Sequence, residues 1–134
     1  MATTVDVSQA KGERSYAATC HCKAMRLEVD ALPERVTRCT CTNCAKRGGL
    51  WAYYKRADVR IVSDAHKGTY QWGWKRGKFN FCTLCGNSTY NETPDFSTGE
   101  PNFDNPLIVV NARLFDGIDA EALPIDVIDG RNLW

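Results

Sequence analysis

The chain has no long hydrophobic run. Its longest apolar stretches are LWAYY at 50–54 and LIVV at 107–110, far short of the roughly 20 residues that a membrane-crossing helix needs. The opening segment, MATTVDVSQAKGERSYAATC, contains no apolar stretch of signal-peptide length either. A soluble, cytoplasmic protein with no membrane partner is therefore expected. There is also no excess of one charge: 17 Lys and Arg against 16 Asp and Glu give +1. Nucleic-acid binding draws on a basic excess or stripe, so no nucleic-acid partner is expected. Helical periodicity is scarce, and no internal repeat or second domain is visible. A length of 134 residues suits one domain.

Cysteine, by contrast, is abundant. Seven residues fall in three tight groups: TCHC at 19–22, RCTCTNC at 38–44 and FCTLCG at 81–86. Without a secretory signal, the reducing cytosol argues against a disulfide framework, and an odd count would leave one thiol unpaired. Metal explains the number better. Four plus three thiolates matches the ligand counts of closed structural and open catalytic zinc sites. With all seven ionised on two Zn²⁺, the formal charge moves to about −2, still far from a basic protein.

The rest of the chain reads as strand. In CKAMRLEV, Met25, Leu27 and Val29 alternate with Arg26 and Glu28, the period of a half-buried strand. LWAYYK after Gly48 and Gly49, DVRIVS, LIVVNAR and PIDVID are further strands. TYQWGW and KFNFC, separated by Lys75, Arg76 and Gly77, predict a hairpin. DAEALP offers one helical turn ended by Pro124. NETPDFSTGEPNFDNP at 91–106, with three prolines, predicts a long loop. Residues 1–14 are read as a flexible arm, and 15–134 as a single all-β domain of short antiparallel sheets with metal-bearing turns.

Cys82 and Cys85 lie in a Cys-x-x-Cys-Gly turn, whose glycine permits a sharp reversal that aims amide donors at the sulfurs. Two further ligands are needed. Cys20 and Cys22 flank one residue, so in extended backbone they share a face. The group Cys20, Cys22, Cys82 and Cys85 would form a closed site across a long chain loop. Cys39, Cys41 and Cys44 then remain as one face of a tetrahedron, its fourth position open to water or a thiol substrate. A fourth ligand from His21, His66 or an acidic loop residue would instead make a second structural site.

The spacing C-x-C, C-x-C-x-x-C and F-C-x-x-C-G resembles that of the glutathione-dependent formaldehyde-activating enzyme family, also called the Gfa or centromere protein V-like domain. The resemblance covers roughly residues 16–128 and includes VVNARLFDGID, with Gly117 and Asp119 in its turn. It implies a Mss4-like β-tent, a structural zinc on Cys20, Cys22, Cys82 and Cys85, and a catalytic zinc on Cys39, Cys41 and Cys44. The implied activity is that of a carbon–sulfur lyase joining glutathione to formaldehyde, in a monomer or homodimer. Where that family commonly has glycine before the first cysteine and after the second, this chain has Thr19 and Lys23. A non-catalytic Mss4-like zinc module is the alternative.

An addition to a carbonyl also needs a donor for the developing oxyanion. Asn43, Tyr53, Tyr54, Asn87 and Tyr90 are candidates, as is core packing for each aromatic. Lys46 and Arg47 are placed to meet an anionic substrate. WGWKRGKF could stack on a ligand or simply form a hairpin. Glu92 and Asp95 are possible acid–base groups from the expected loop.

Overall fold

The computed structural model describes residues 15–72, 77–95, 99–100 and 102–133. The expected arm at 1–14, the hairpin tip at Lys75 and Arg76, and residues 96–98 and 101 of the expected loop lie outside the described residues.

Among the described residues, ten strands form two sheets. The smaller has β1 (Tyr16–Thr19), β2 (Arg26–Val29) and β5 (Val59–Ser63), in the order β1-β2-β5. The larger contains β3 (Val36–Cys39), β4 (Trp51–Tyr54), β6 (Lys67–Tyr70), β7 (Lys78–Cys82), β8 (Ser88–Asp95), β9 (Asn102–Asn111) and β10 (Ile125–Ile128). Its order is β10-β3-β4-β9-β8-β7-β6. Pairing is antiparallel except for β10 on β3, which is parallel, so the larger sheet is mixed rather than wholly antiparallel. The fold is all-β and Mss4-like.

The alternation in β2 does what its period requires: Met25, Leu27 and Val29 are buried. They join one core with Val36, Leu50, Tyr90, Ile108 and Val110 from the larger sheet. The two sheets therefore share a single apolar interior. LWAYY supplies Leu50 and Ala52 to it, while Trp51, on the alternate face, is only 2% exposed. Gly49 lies against that indole, where a Cβ would meet ring atoms 2.3 Å away, so no larger residue fits beside it.

Residues 91–106 are not a long loop. Most of them belong to β8 and β9, which are longer than the short strands expected. The prolines are tolerated because the ladder is irregular where they sit: pairing runs from Thr93↔Leu107 to Asp95↔Asn102 with a register shift between. Pro94 and Pro106 fall inside that irregularity, where a missing N–H costs no regular ladder bond. The single turn expected near DAEALP is present as a 3-10 turn over Ala120–Ala122.

Two short helices lacked a clear signal. α1 (Thr42–Arg47) follows β3 inside the cysteine-rich segment, and α2 (Gly130–Leu133) follows β10. Cys41 caps α1 by accepting from the Cys44 amide, and Gly48 ends it in left-handed backbone, φ 70°. Glycine is favoured there because a Cβ is disfavoured at positive φ.

Candidate metal centre

The fold gathers the cysteines into two groups. Cys20, Cys22, Cys82 and Cys85 form one and Cys39, Cys41 and Cys44 the other, with the sulfurs of each within 4.8 Å of one another. None is disulfide-bonded. In the first group, Cys22 Sγ lies 3.7 Å from Cys20 Sγ and 3.6 Å from Cys82 Sγ. Four sulfurs about 2.3 Å from a tetrahedral zinc stand about 3.8 Å apart, so this donor set fits that metal.

Backbone amides hold the first group in shape. Met25 N–H donates to Cys20 Sγ at 3.3 Å, and Gly86 N–H closes the knuckle onto the Cys82 carbonyl at 2.8 Å. Gly86 has φ 82°, the reversal expected of the Cys-x-x-Cys-Gly turn. The Asn87 amide, above all, lowers the Cys85 pKa to about 6. The Cys85 and Leu84 amides likewise lower Cys82. Cys22 behaves oppositely. The Ala24 amide pulls it down, yet desolvation and the sulfurs of Cys82, Cys20 and Cys85 push it up to about 12. A divalent cation would take the place of those sulfur–sulfur hydrogen bonds.

The second group is local. Cys39 ends β3, Cys41 caps α1 and Cys44 lies within α1. Cys41 N–H points at Cys39 Sγ at 3.5 Å, and Cys44 N–H at Cys41 Sγ at 3.4 Å. Burial raises both Cys39 and Cys44, and the adjoining sulfurs strengthen the rise at Cys44. Cys39 and Cys44 so placed resist ionisation until a cation joins them. Among the described residues, no His, Asp or Glu completes this group. His21 and His66 are both exposed; the former anchors through its amide to Asn87 Oδ1 at 2.8 Å.

Tyr53 is the candidate donor that the fold brings to this second group. Burial first, and then the thiolates of Cys44 and Cys39, raise its phenol above the usual range, although the residue is 51% exposed. Tyr54 and Tyr90 are engaged elsewhere. Tyr54 donates to the Ala31 carbonyl at 2.9 Å and packs edge-on against Phe115. Tyr90 is buried in the core and donates to Asp64 at 2.8 Å. Glu92 is likewise no loop acid: its carboxylate accepts from buried Asn80 at 3.0 Å inside the sheet. Asp95 closes β8, also within the sheet.

An open cleft of about 740 Å³ runs between α1 and the turn after the knuckle. Asn43, Lys46 and Arg47 line it from α1, and Asn87 from beyond Cys85, so the cleft adjoins the chain segments of both cysteine groups. Arg47 donates to Asn43 Oδ1 at 3.0 Å and to Ser88 Oγ at 3.1 Å. Its guanidinium lies 5.7 Å from the ring centroids of Tyr70 and of Phe79. Burial lowers its pKa, while Cys44 and Tyr70 pull the other way. The sequence named Lys46, Arg47, Asn43 and Asn87 for this region but not Tyr70 or Arg113, which also line it. Tyr70 lies in TYQWGW and Arg113 in VVNARLFDGID, stretches with no motif in common, and the fold brings both to one cleft.

An all-β, Mss4-like frame whose turns collect cysteines in a four and a three defines a class of small proteins able to hold metal on thiolates. The chain belongs to the glutathione-dependent formaldehyde-activating enzyme family, whose model matches residues 15–124. It is similar to the crystal structure of a Rhodobacter sphaeroides protein at 29% identity and a TM-score of 0.66, covering 81% of this chain and 98% of that one. No curated protein matches the chain. Among the described residues, no helix is long and apolar enough to cross a membrane.

Proposed function

We propose that the protein is a zinc-dependent enzyme of the carbon–sulfur lyase type. It adds a thiol such as glutathione, or water, to a small electrophilic carbonyl compound, or catalyses the reverse elimination. Cys20, Cys22, Cys82 and Cys85 would hold a structural zinc, and Cys39, Cys41 and Cys44 a catalytic one. When bound by three thiolates, zinc lowers the pKa of a further ligand and makes a thiol or water nucleophilic near neutral pH.

The chain's own groups supply the rest. Arg47, which lines the α1 cleft and lies within electrostatic reach of Cys44, would orient the reactant. Tyr53, whose phenol stays protonated, donates to the carbonyl oxygen as negative charge develops there. In the addition direction the C–S bond forms and the carbonyl π pair moves to oxygen. The proton lost by the thiol ends on that oxygen; elimination reverses each change.

The observation that carries this reading is the difference between the two cysteine groups, four ligands in one and three in the other among the described residues. The test combines metal analysis with turnover. The native protein should hold two zinc equivalents. Cys41→Ser should hold one, keep its fold and lose turnover of a thiol–aldehyde adduct. A single equivalent in the native protein, or undiminished turnover by Cys41→Ser, overturns the proposal. The burial of Cys39 and Cys41 favours the second reading, a metal-binding module without catalysis. Cobalt substitution separates the two: glutathione shifts the thiolate–cobalt bands only where a ligand position is accessible.

A further inference from the structure

The α1 cleft has an uneven chemistry. Three cations, Lys46, Arg47 and Arg113, line it, and no carboxylate does among the described residues. Arg113 is already committed: it pairs with Glu121 at 2.6 Å and donates to the Gly48 carbonyl at 2.8 Å. Among the described residues, the hydrogen-bond partners of Arg47 are neutral, Asn43 and Ser88. Among the described residues, neither Lys46 nor Arg47 forms an ion pair with Asp or Glu. A half-buried guanidinium held between two aromatic rings, with its fork fixed by two neutral acceptors, is pre-organised for a carboxylate.

The same cleft carries Tyr70 and Trp72, 47% and 41% exposed. Large aromatics left half open beside cations offer a flat apolar face next to a charge. Formaldehyde has neither the charge nor the surface to use such a space. Glutathione brings an ammonium group along with its carboxylates, and the lining holds no described acid to receive it.

We infer that the α1 cleft binds a flat organic carboxylate without an amino group, an aromatic or conjugated acid. Its carboxylate meets Arg47 and Lys46, and its plane lies against Trp72 and Tyr70. This assignment rests on the proposed reaction only for its meaning: it makes such an acid the carbonyl-bearing reactant.

Calorimetric titration of the zinc-loaded protein with four probes tests it. Benzoate has both charge and ring, benzamide the ring alone, acetate the charge alone, and S-methylglutathione the ammonium without a free thiol to meet zinc. Benzoate should bind at least about tenfold more tightly than each of the other three, a gap of about 1.4 kcal/mol. Arg47→Gln should weaken benzoate about tenfold and Trp72→Ala about threefold to tenfold, as lost charge-assisted and ring contacts of this size do. Because Arg47 also braces Ser88, the exposed change Lys46→Gln serves as the second variant. It should weaken benzoate about threefold and flatten its salt dependence. Benzamide or acetate equal to benzoate, S-methylglutathione binding more tightly than benzoate, or all three variants binding like the native protein overturns the inference. Zinc content, measured in parallel, keeps the two proposals apart. Two equivalents with no benzoate preference sinks only this one, and one equivalent with the preference intact sinks only the catalytic reading.

Discussion

The sulfurs of Cys22 and Cys82 lie 3.6 Å apart although sixty positions separate them in the chain. Cys22 lies in the turn between β1 and β2 of the three-stranded sheet, while Cys82 ends β7 of the seven-stranded one. The four-cysteine group thus joins the two sheets at their shared core, to which Cys20 and Cys82 belong. The three-cysteine group joins nothing distant, because all its members lie within the β3–α1 connection.

That difference sets a stability prediction. Cys82→Ser removes a tie between sheets and should cost on the order of 3 kcal/mol or more, roughly 10–20 °C in Tm for a domain of this size. Cys44→Ser should cost less than about 1 kcal/mol, because β3 and β4 are held by ladders and core packing as well. Thermal denaturation of the zinc-loaded variants decides the matter. Equal losses for the two variants would contradict the division of roles.

Acid should empty the two groups in a fixed order. Protons compete with metal for thiolates, so a thiol with a raised pKa releases metal at higher pH. Cys39 and Cys44 are raised chiefly by burial, which a cation does not undo. Cys82 and Cys85 are lowered chiefly by backbone amides that remain when metal binds. Against the pull of the Ala24 amide, Cys22 is raised first by desolvation and then by hydrogen bonds with the sulfurs of Cys82, Cys20 and Cys85, so the two lowered thiols of its group carry the contrast. Zinc release followed with a chelating dye as pH falls should therefore show two phases. Cys44→Ser should abolish the phase at higher pH and leave the lower one in place. A single phase, or loss of the lower one in that variant, would contradict the assignment.

The grouping of the cysteines could be read from spacing because closely spaced sulfurs can meet only a few partners. Cys-x-x-Cys-Gly and C-x-C limit which sulfurs can meet, and the fold brings together the two groups those spacings indicate. Strand alternation at Met25, Leu27 and Val29 was equally legible, since one face of β2 meets the core. The course of residues 91–106 was not. Pro94 and Pro106 argue locally against a regular strand, and only the bulge between Thr93 and Asp95 reconciles them with β8 and β9. α1 was hidden for a related reason: its cap is Cys41 rather than Ser, Asp or Asn, and its six residues are too few to show a period. The cleft depends on Tyr70 and Arg113, which are far apart in sequence and share no motif. Its recognition required the sheet order.

Lys23 gives the last prediction. It stands directly after Cys22 with φ 68°, the only described non-glycine residue at positive φ. The turn demands this conformation, since the Lys23 amide donates back to the Cys20 carbonyl at 2.9 Å. An L-residue held there bears a steric cost of about 1 kcal/mol that glycine escapes, offset in part by glycine's greater freedom in the unfolded chain. The side chain is exposed and forms no described ion pair whose loss would count against the change. Lys23→Gly should therefore stabilise the zinc-loaded protein by about 0.5 kcal/mol, a rise of a few degrees in Tm. Lys23→Ala keeps a Cβ and should lie near the native value, while Lys23→Val, branched at that carbon, should fall about 1–2 kcal/mol below it. Zinc content should remain at the native level in the glycine variant. If glycine proves less stable than alanine at this position, the turn is not under the strain its φ indicates.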